Sequence, residues 1–341
     1  MADVRAGSLA YNRLDMQVSQ VFRLAIELYE ESDYLLVLDH ADDITLFDDA
    51  ERHDTVSYYQ MKTNDDSIAL SLAISEGWIA KLYSHMNEPE PFIKELGLIT
   101  NCPFKIEGSP LSVNRTLFTD FKKTALDKVK EDLAKRNGLS VSDIDLSKMI
   151  HMRTTLSIDE HRRIVSGEAS EFLVARFPEI KVQVVKTIVA AVFEILQRKQ
   201  AYERLPESAA HEEVAKKKGF TRGMFTDIIK ASIKVNIPEF QSLVEVSRLP
   251  EELKEPAALS YTKVCFDSSS NLESFATLFN SLEKIIRDLP DAEDETLWGF
   301  ASRCKVEWSR RRRRTATIYD DGYYLEILTV CICLAMEGEE T

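Results

Sequence analysis

The chain has 341 residues, 44% of them hydrophobic and 29% charged, with only 11 glycines and 10 prolines. Such a composition excludes disordered and fibrous classes, leaves room for a sizeable core, and favours long helices. The net charge of −14 argues mildly against nucleic acid, but residues 1–110 carry −12, 111–236 carry +6 and 237–341 carry −8; salt screens charge beyond about 8–10 Å, so the middle region can still meet phosphates.

In chain order, Leu14, Val18, Val21, Phe22, Ala25 and Leu28 recur at three- and four-residue steps, which predicts an amphipathic helix over 14–31. The apolar run at 34–38 predicts a buried strand that residues 42–47 continue or pair with, and 48–54 read as a polar turn. The β-branched and aromatic residues of 55–63 predict the return strand, 67–85 a helix, and 96–101 another strand. Beyond residue 115 the pattern turns helical, over 121–137, 158–177, 180–204, 211–218, 221–233, 271–289 and 322–336. Leu249-Pro250 and Pro256 bracket a candidate boundary. The resulting expectation is an α/β core with a mainly helical remainder, divided as 1–115, 116–248 and 249–341.

Several classes are disfavoured. The longest apolar stretches, such as 187–196, are too short to cross a bilayer, and no cationic–apolar signal opens the sequence, so a cytoplasmic protein without a membrane partner is expected. The five cysteines form no CxxC pair or Cys/His cluster, which disfavours zinc. No GxxxxGK[ST] loop is present.

The most informative constellation is Asp42-Asp43 followed, a hairpin's length later, by Gln60-Met61-Lys62. Side chains in a strand repeat their direction every second residue, so Gln60 and Lys62 share a face. If the aspartates lie on the adjoining strand, a carboxylate, an amide oxygen and an amine meet at one point. Taken singly, each segment reads as a solvated turn or a surface strand; taken in order they outline a phosphodiester-cutting site.

These residues resemble the PD-(D/E)xK nuclease superfamily in its (Q)xK variant, and more closely the double-stranded-DNA endonuclease effector domain of CBASS-type bacterial antiphage systems. The resemblance rests on Ser19-Gln20 in the first helix, Asp39-His40-Ala41-Asp42-Asp43-Ile44, Tyr59-Gln60-Met61-Lys62-Thr63 and Leu98-Ile99-Thr100-Asn101. It covers roughly residues 10–235. One departure is Asp39, where the family usually has glutamate. The resemblance implies a restriction-endonuclease-like mixed sheet, double-stranded DNA as substrate, and Gln20 and His40 as supporting residues.

The chemistry accords with Mg²⁺ or Mn²⁺. Phosphodiester hydrolysis needs an activated water and counter-charge for the phosphate, which a divalent cation on carboxylates supplies. Asp43 is the first expected ligand, with Asp42 or Asp39 assisting and Gln60 adding a neutral oxygen; Lys62 orients water or offsets phosphate charge. Catalytic roles therefore fall to Asp43, Gln60 and Lys62.

Two further features bear on DNA. Residues 213–233 have the cadence of a helix-turn-helix, in which Lys216, Lys217, Lys218 and Arg222 suit phosphate contacts. Arg310, Arg311, Arg312, Arg313 and Arg314 suit nucleic acid or an acidic partner surface, or else match the acidic stretch at 288–295 or the acidic tail at 337–340. The run 325–334 is apolar nearly all round and demands burial, in this chain's own core or against another copy, with a subunit interface favoured. Related nucleases are held silent until triggered, so the expected controllers are a homo-oligomer or a partner ATPase such as a HerA-type translocase. The competing expectation is a non-catalytic DNA-binding or assembly protein that uses 213–233 and the arginine run.

Overall fold

The computed structural model describes residues 6–87, 91–178, 180–203, 205–206, 209–234, 237–270, 272–290, 292, 294–311 and 322–337. Its strands are β1 (Leu35–Leu38), β2 (Ile44–Phe47), β3 (Thr55–Lys62), β4 (Ile68–Ala69), β5 (Phe92–Thr100), β6 (Phe104–Ile106), β7 (Ser109–Pro110), β8 (Arg115–Leu117), β9 (Met149–Arg153) and β10 (Gly219–Thr221). Its helices are α1 (Ala6–Glu27), α2 (Leu70–Ser75), α3 (Trp78–Ser84), α4 (Lys123–Asn137), α5 (His161–Arg176), α6 (Val182–Ala201) and α7 (His211–Lys218), then α8 (Arg222–Lys234), α9 (Phe240–Ser247), α10 (Lys254–Ser270), α11 (Leu272–Asp288), α12 (Leu297–Arg311) and α13 (Tyr324–Glu337).

Two compact units form. The first comprises Met1–Arg176 and Val192–Arg222, the second Phe177–Ala191 and Gly223–Thr341. The helices of 116–176 thus belong with the N-terminal strands. Residues 249–256 join α9 to α10 within the second unit.

A seven-stranded sheet of order β10-β1-β2-β3-β5-β9-β8 centres the first unit. β1, β2 and β3 form an antiparallel meander, and β3, β5 and β9 run parallel. Parallel strands are covered on both faces, so they read as apolar runs rather than clean alternations. Six consecutive residues of β3, from Val56 to Met61, are accordingly buried. On one face Val56, Tyr58, Leu96 and Leu98 pack with Ile79 and Leu82 of α3 and Val129 and Leu133 of α4. On the helical side of α1, Phe22 meets Phe193 of α6 edge-on at 5.1 Å and Tyr29 meets Phe172 of α5 at 5.1 Å.

The predicted helix over 67–85 is two helices, α2 and α3, preceded by the short β4. The break falls at Gly77, whose φ of 72° is a left-handed conformation that glycine adopts without a Cβ penalty. The helix-turn-helix expectation for 213–233 is also corrected. Residues 219–221 between α7 and α8 are a strand, β10, with Leu35 opposite Thr221 and Val37 opposite Gly219 in β1. Three residues with an extended partner far away in sequence carry no local signal.

The second unit is helical. Phe275, Phe279 and Leu282 of α11, Trp298, Ala301 and Cys304 of α12, and Leu325, Ile327, Leu328 and Ile332 of α13 share one core. The apolar C-terminal helix is thereby buried within its own unit, the first of the two alternatives that its sequence left open.

Candidate active site

The geometry begins with the β1–β2 connection. Asp39 N donates to Asp43 O at 3.1 Å and His40 N to Asp42 O at 3.3 Å, closing a tight turn that carries both aspartates. Asp39 turns the corner at φ 46°, a left-handed conformation that aspartate tolerates better than most residues. Ile44 lies opposite Tyr59 and Thr45 opposite Tyr58 in β3. Continued by one residue, that register sets Asp43 across from Gln60. Directly opposed residues share a face, so Asp43, Gln60 and Lys62 lie on the α3 side of the sheet.

Side-chain contacts tie the group together. Asp43 Oδ2 accepts a hydrogen bond from Met61 N at 2.7 Å. Burial raises the Asp43 carboxyl above the usual carboxylate range, against the opposing pull of that amide and of the nearby Lys62 amine. Burial likewise pushes the Lys62 amine below the usual lysine range, with Asp43 opposing. Lys62 Nζ sits 5.4 Å from the centroid of the Trp78 ring, in cation–π range. Gln60 is 2% exposed, and its Oε1 has no hydrogen-bond partner among the described residues.

Asp42 faces a different set of partners. Its Oδ1 accepts from Lys81 Nζ at 2.8 Å and from Asp43 N at 3.1 Å, and its Oδ2 lies 3.3 Å from His85 Nε2. Burial would raise its pKa, but the hydrogen bonds from His85 and Lys81 outweigh it and hold the carboxyl low. His85 in turn stacks on Tyr58 at 3.9 Å. Both Asp42 oxygens are thus engaged, whereas among the described residues Asp43 is hydrogen-bonded on Oδ2 only. Sequence reading missed Lys81 and His85. Their signal is the spacing of Trp78, Lys81 and His85, which places all three on one helical face.

The remaining candidates scatter. Asp39 is exposed at the turn's tip, its Oδ2 3.8 Å from Lys218 Nζ. His40 is half-buried in the same turn. Gln20 is buried on α1 with Oε1 unpartnered among the described residues. Lys218 is fully buried, so its expected contact with DNA is ruled out. Lys217 pairs with Glu213 at 2.6 Å, and the Arg222 guanidinium lies 5.4 Å from the Tyr29 ring; Lys216 is exposed. Arg311 pairs with Asp288 at 2.9 Å, at the start of the acidic stretch named for the arginine run, and with Glu307 of its own helix at 2.8 Å; Arg310 lies 3.5 Å from Glu307. Arg312, Arg313 and Arg314 lie outside the described residues.

Among the described residues no group of three or more His, Cys, Asp or Glu side chains is arranged to hold a metal ion. The donors that fit a hard cation are a carboxylate oxygen of Asp43 and the unpartnered amide oxygen of Gln60. Magnesium commonly takes one or two protein oxygens and completes its shell with substrate oxygens and water. The set suits it.

A mixed α/β sheet with an acidic turn and a QxK strand side by side defines a restriction-endonuclease-like nuclease core. The chain belongs to the family of the Cap4 dsDNA endonuclease domain, whose profile matches residues 5–200. It is similar to the Lamassu protein LmuA of Bacillus cereus (strain VD014), with 27% identity over 233 residues; the match covers 67% of this chain and 65% of that protein's length. It also overlaps a solved structure, the Moraxella osloensis Cap4 SAVED/CARF-domain containing receptor, at 15% identity and TM-score 0.37, covering 55% of this chain and 43% of the other.

Proposed function

We propose that the protein is a Mg²⁺- or Mn²⁺-dependent endonuclease that hydrolyses double-stranded DNA at a centre formed by Asp43, Gln60 and Lys62. The observation that carries the reading is the unpartnered buried Gln60 oxygen on the face shared by the raised Asp43 carboxyl and the lowered Lys62 amine. A divalent cation bound there supplies positive charge to the phosphate and acidifies water. The protein does the rest. Met61 N–H fixes one Asp43 oxygen, so the carboxylate presents the other. Lys62, steadied by Trp78, donates to a phosphate oxygen or orients the attacking water. Such groups contribute about 10²–10⁴-fold in rate. Asp42 serves chiefly to hold Lys81 beside the cluster, with His85 behind it.

Family membership supports the substrate class. It also motivates placing the enzyme in antiphage defence in the cytoplasm, with control by homo-oligomerisation or by a partner ATPase such as a HerA-type translocase. Cleavage of supercoiled plasmid tests the core reading. Wild-type protein is expected to nick or linearise plasmid with Mg²⁺, to stop with chelator, and to lose activity as Asp43→Ala. Cleavage undiminished by chelator or by Asp43→Ala sinks the assignment.

A further inference from the structure

We propose that Lys218, far from the acidic turn in sequence, is a positioning residue that clamps that turn and so sets Asp42 and Asp43 for catalysis. The inference rests on the cation-dependent reading above.

Lys218 is 0% exposed. A lysine is seldom fully buried unless its amine is engaged, and here Nζ donates to the Asp39 carbonyl at 2.9 Å, with Asp39 Oδ2 at 3.8 Å. Asp39 is the left-handed residue of the turn and its N–H bonds Asp43 O, so a group that fixes the Asp39 peptide also fixes the aspartates behind it. The amine is placed from behind by two tight features. Gly219, the next residue, meets β1 so closely that an added Cβ would lie 2.5 Å from Ala215 O and 2.5 Å from Leu35 Cδ1. Lys199 of α6, itself buried, donates to Lys216 O at 3.1 Å and fastens the end of α7. The α7–β10 corner is thus seated on the sheet edge, with the Lys218 side chain running to the turn.

The turn's other side-chain ties, Asp42 to Lys81 and His85 and Asp43 to Met61 N, lie at its far end, so Lys218 holds the Asp39 end; small displacements of catalytic groups cost large factors in rate. The clamp makes a specific demand. Losing the amine should loosen residues 39–43 and misplace Asp43 while leaving DNA affinity alone.

The test uses the full chain as wild type, Lys218→Met, Lys218→Arg and Lys199→Met. Lys218→Met keeps the apolar stem and removes the donor. It is expected to speed hydrogen exchange in the 38–44 peptide, to weaken Mn²⁺ binding followed by electron paramagnetic resonance, and to lower kcat about 10–100-fold with KM for duplex DNA unchanged. Lys218→Arg, which retains a donor, should recover part of the loss. Lys199→Met, which loosens only the end of α7 two residues away, should lower the melting temperature and cost Mn²⁺ affinity clearly less than Lys218→Met. Unchanged exchange at 38–44 in Lys218→Met overturns the clamp. So does a raised KM with kcat intact, which would mark a phosphate contact, or a loss in Lys199→Met equal to that in Lys218→Met, which would mark general destabilisation. If the wild type neither binds Mn²⁺ nor cuts, the nuclease reading fails by itself, and the exchange measurement still decides the clamp.

Discussion

At the level of single side chains, the site separates two neighbouring carboxylates by what surrounds them. Asp42 is met on its two oxygens by the Lys81 amine of α3 and the His85 ring just beyond that helix, whereas Asp43 has one backbone amide and a nearby lysine. Asp42→Asn should therefore act mainly by releasing Lys81 and His85, and Asp43→Asn by removing the donor meant for a cation. The two variants are expected to diverge in a Mn²⁺-binding titration, with affinity lost in Asp43→Asn and largely kept in Asp42→Asn. Equal losses would place both aspartates on the cation. A second residue-scale prediction concerns His151, buried on β9. Thr100 Oγ1 donates to Cys102 O, so the 2.9 Å contact to His151 Nε2 requires the ring to donate from Nε2. Nδ1 has no partner among the described residues, and burial, with Arg153 adding, drops the ring's pKa to about 4. Above pH 6.5 the ring is neutral folded or unfolded and pH has no effect. As pH falls below 6.5 the unfolded chain takes the proton first, and stability declines until about pH 4, by on the order of 3 kcal/mol. Chemical denaturation at pH 7 and pH 4.5 should show a gap that narrows in His151→Asn; an unchanged gap would contradict the buried neutral ring.

Strands and helices show which parts of the arrangement were legible beforehand. The QxK strand, the acidic segment and their separation could be read because side-chain direction in a strand has a fixed period and the two segments are close in sequence. Lys81 and His85 were hidden in a stretch read as one long helix, since the Gly77 break and the ion pairs to Asp42 depend on packing. β9 carries no alternation because it is a short, covered parallel strand, and β8 is a three-residue antiparallel edge strand, too short to give a pattern. β10 was mistaken for a turn because its partner, β1, is remote in sequence. Gly97 offers a test of the β3–β5 seam. It pairs with Tyr59, and a Cβ there would lie 2.4 Å from Tyr59 Cδ1, while the Tyr59 hydroxyl is engaged by Glu95 at 3.0 Å. Gly97→Ala must push that ring off its seat and should cost about 1–3 kcal/mol in thermal or urea unfolding. A change within a few tenths of a kcal/mol would show that the seam has slack.

Across the whole molecule, two units carry separate cores, and the chemistry proposed here lies in the first. The second buries α13 among α10, α11 and α12, so Leu328→Ala should cost about 2–5 kcal/mol as an internal cavity and leave the association state unchanged. Dissociation of an oligomer by that variant, without loss of fold, would place the helix at an interface after all. The sequence called for burial of this helix but could not choose its partner, because apolar area is satisfied equally by either. Among the described residues no helix is long and apolar enough to cross a membrane. The most direct test of the central claim is single-turnover cleavage of duplex DNA with Mg²⁺ by Gln60→Ala and Lys62→Ala, with Lys94→Ala at the exposed Asp48 pair as control. Loss of at least about 10²-fold in Lys62→Ala, a smaller loss in Gln60→Ala, and wild-type rates in Lys94→Ala are predicted. Wild-type rates in both Gln60→Ala and Lys62→Ala would contradict a catalytic centre on this face of the sheet.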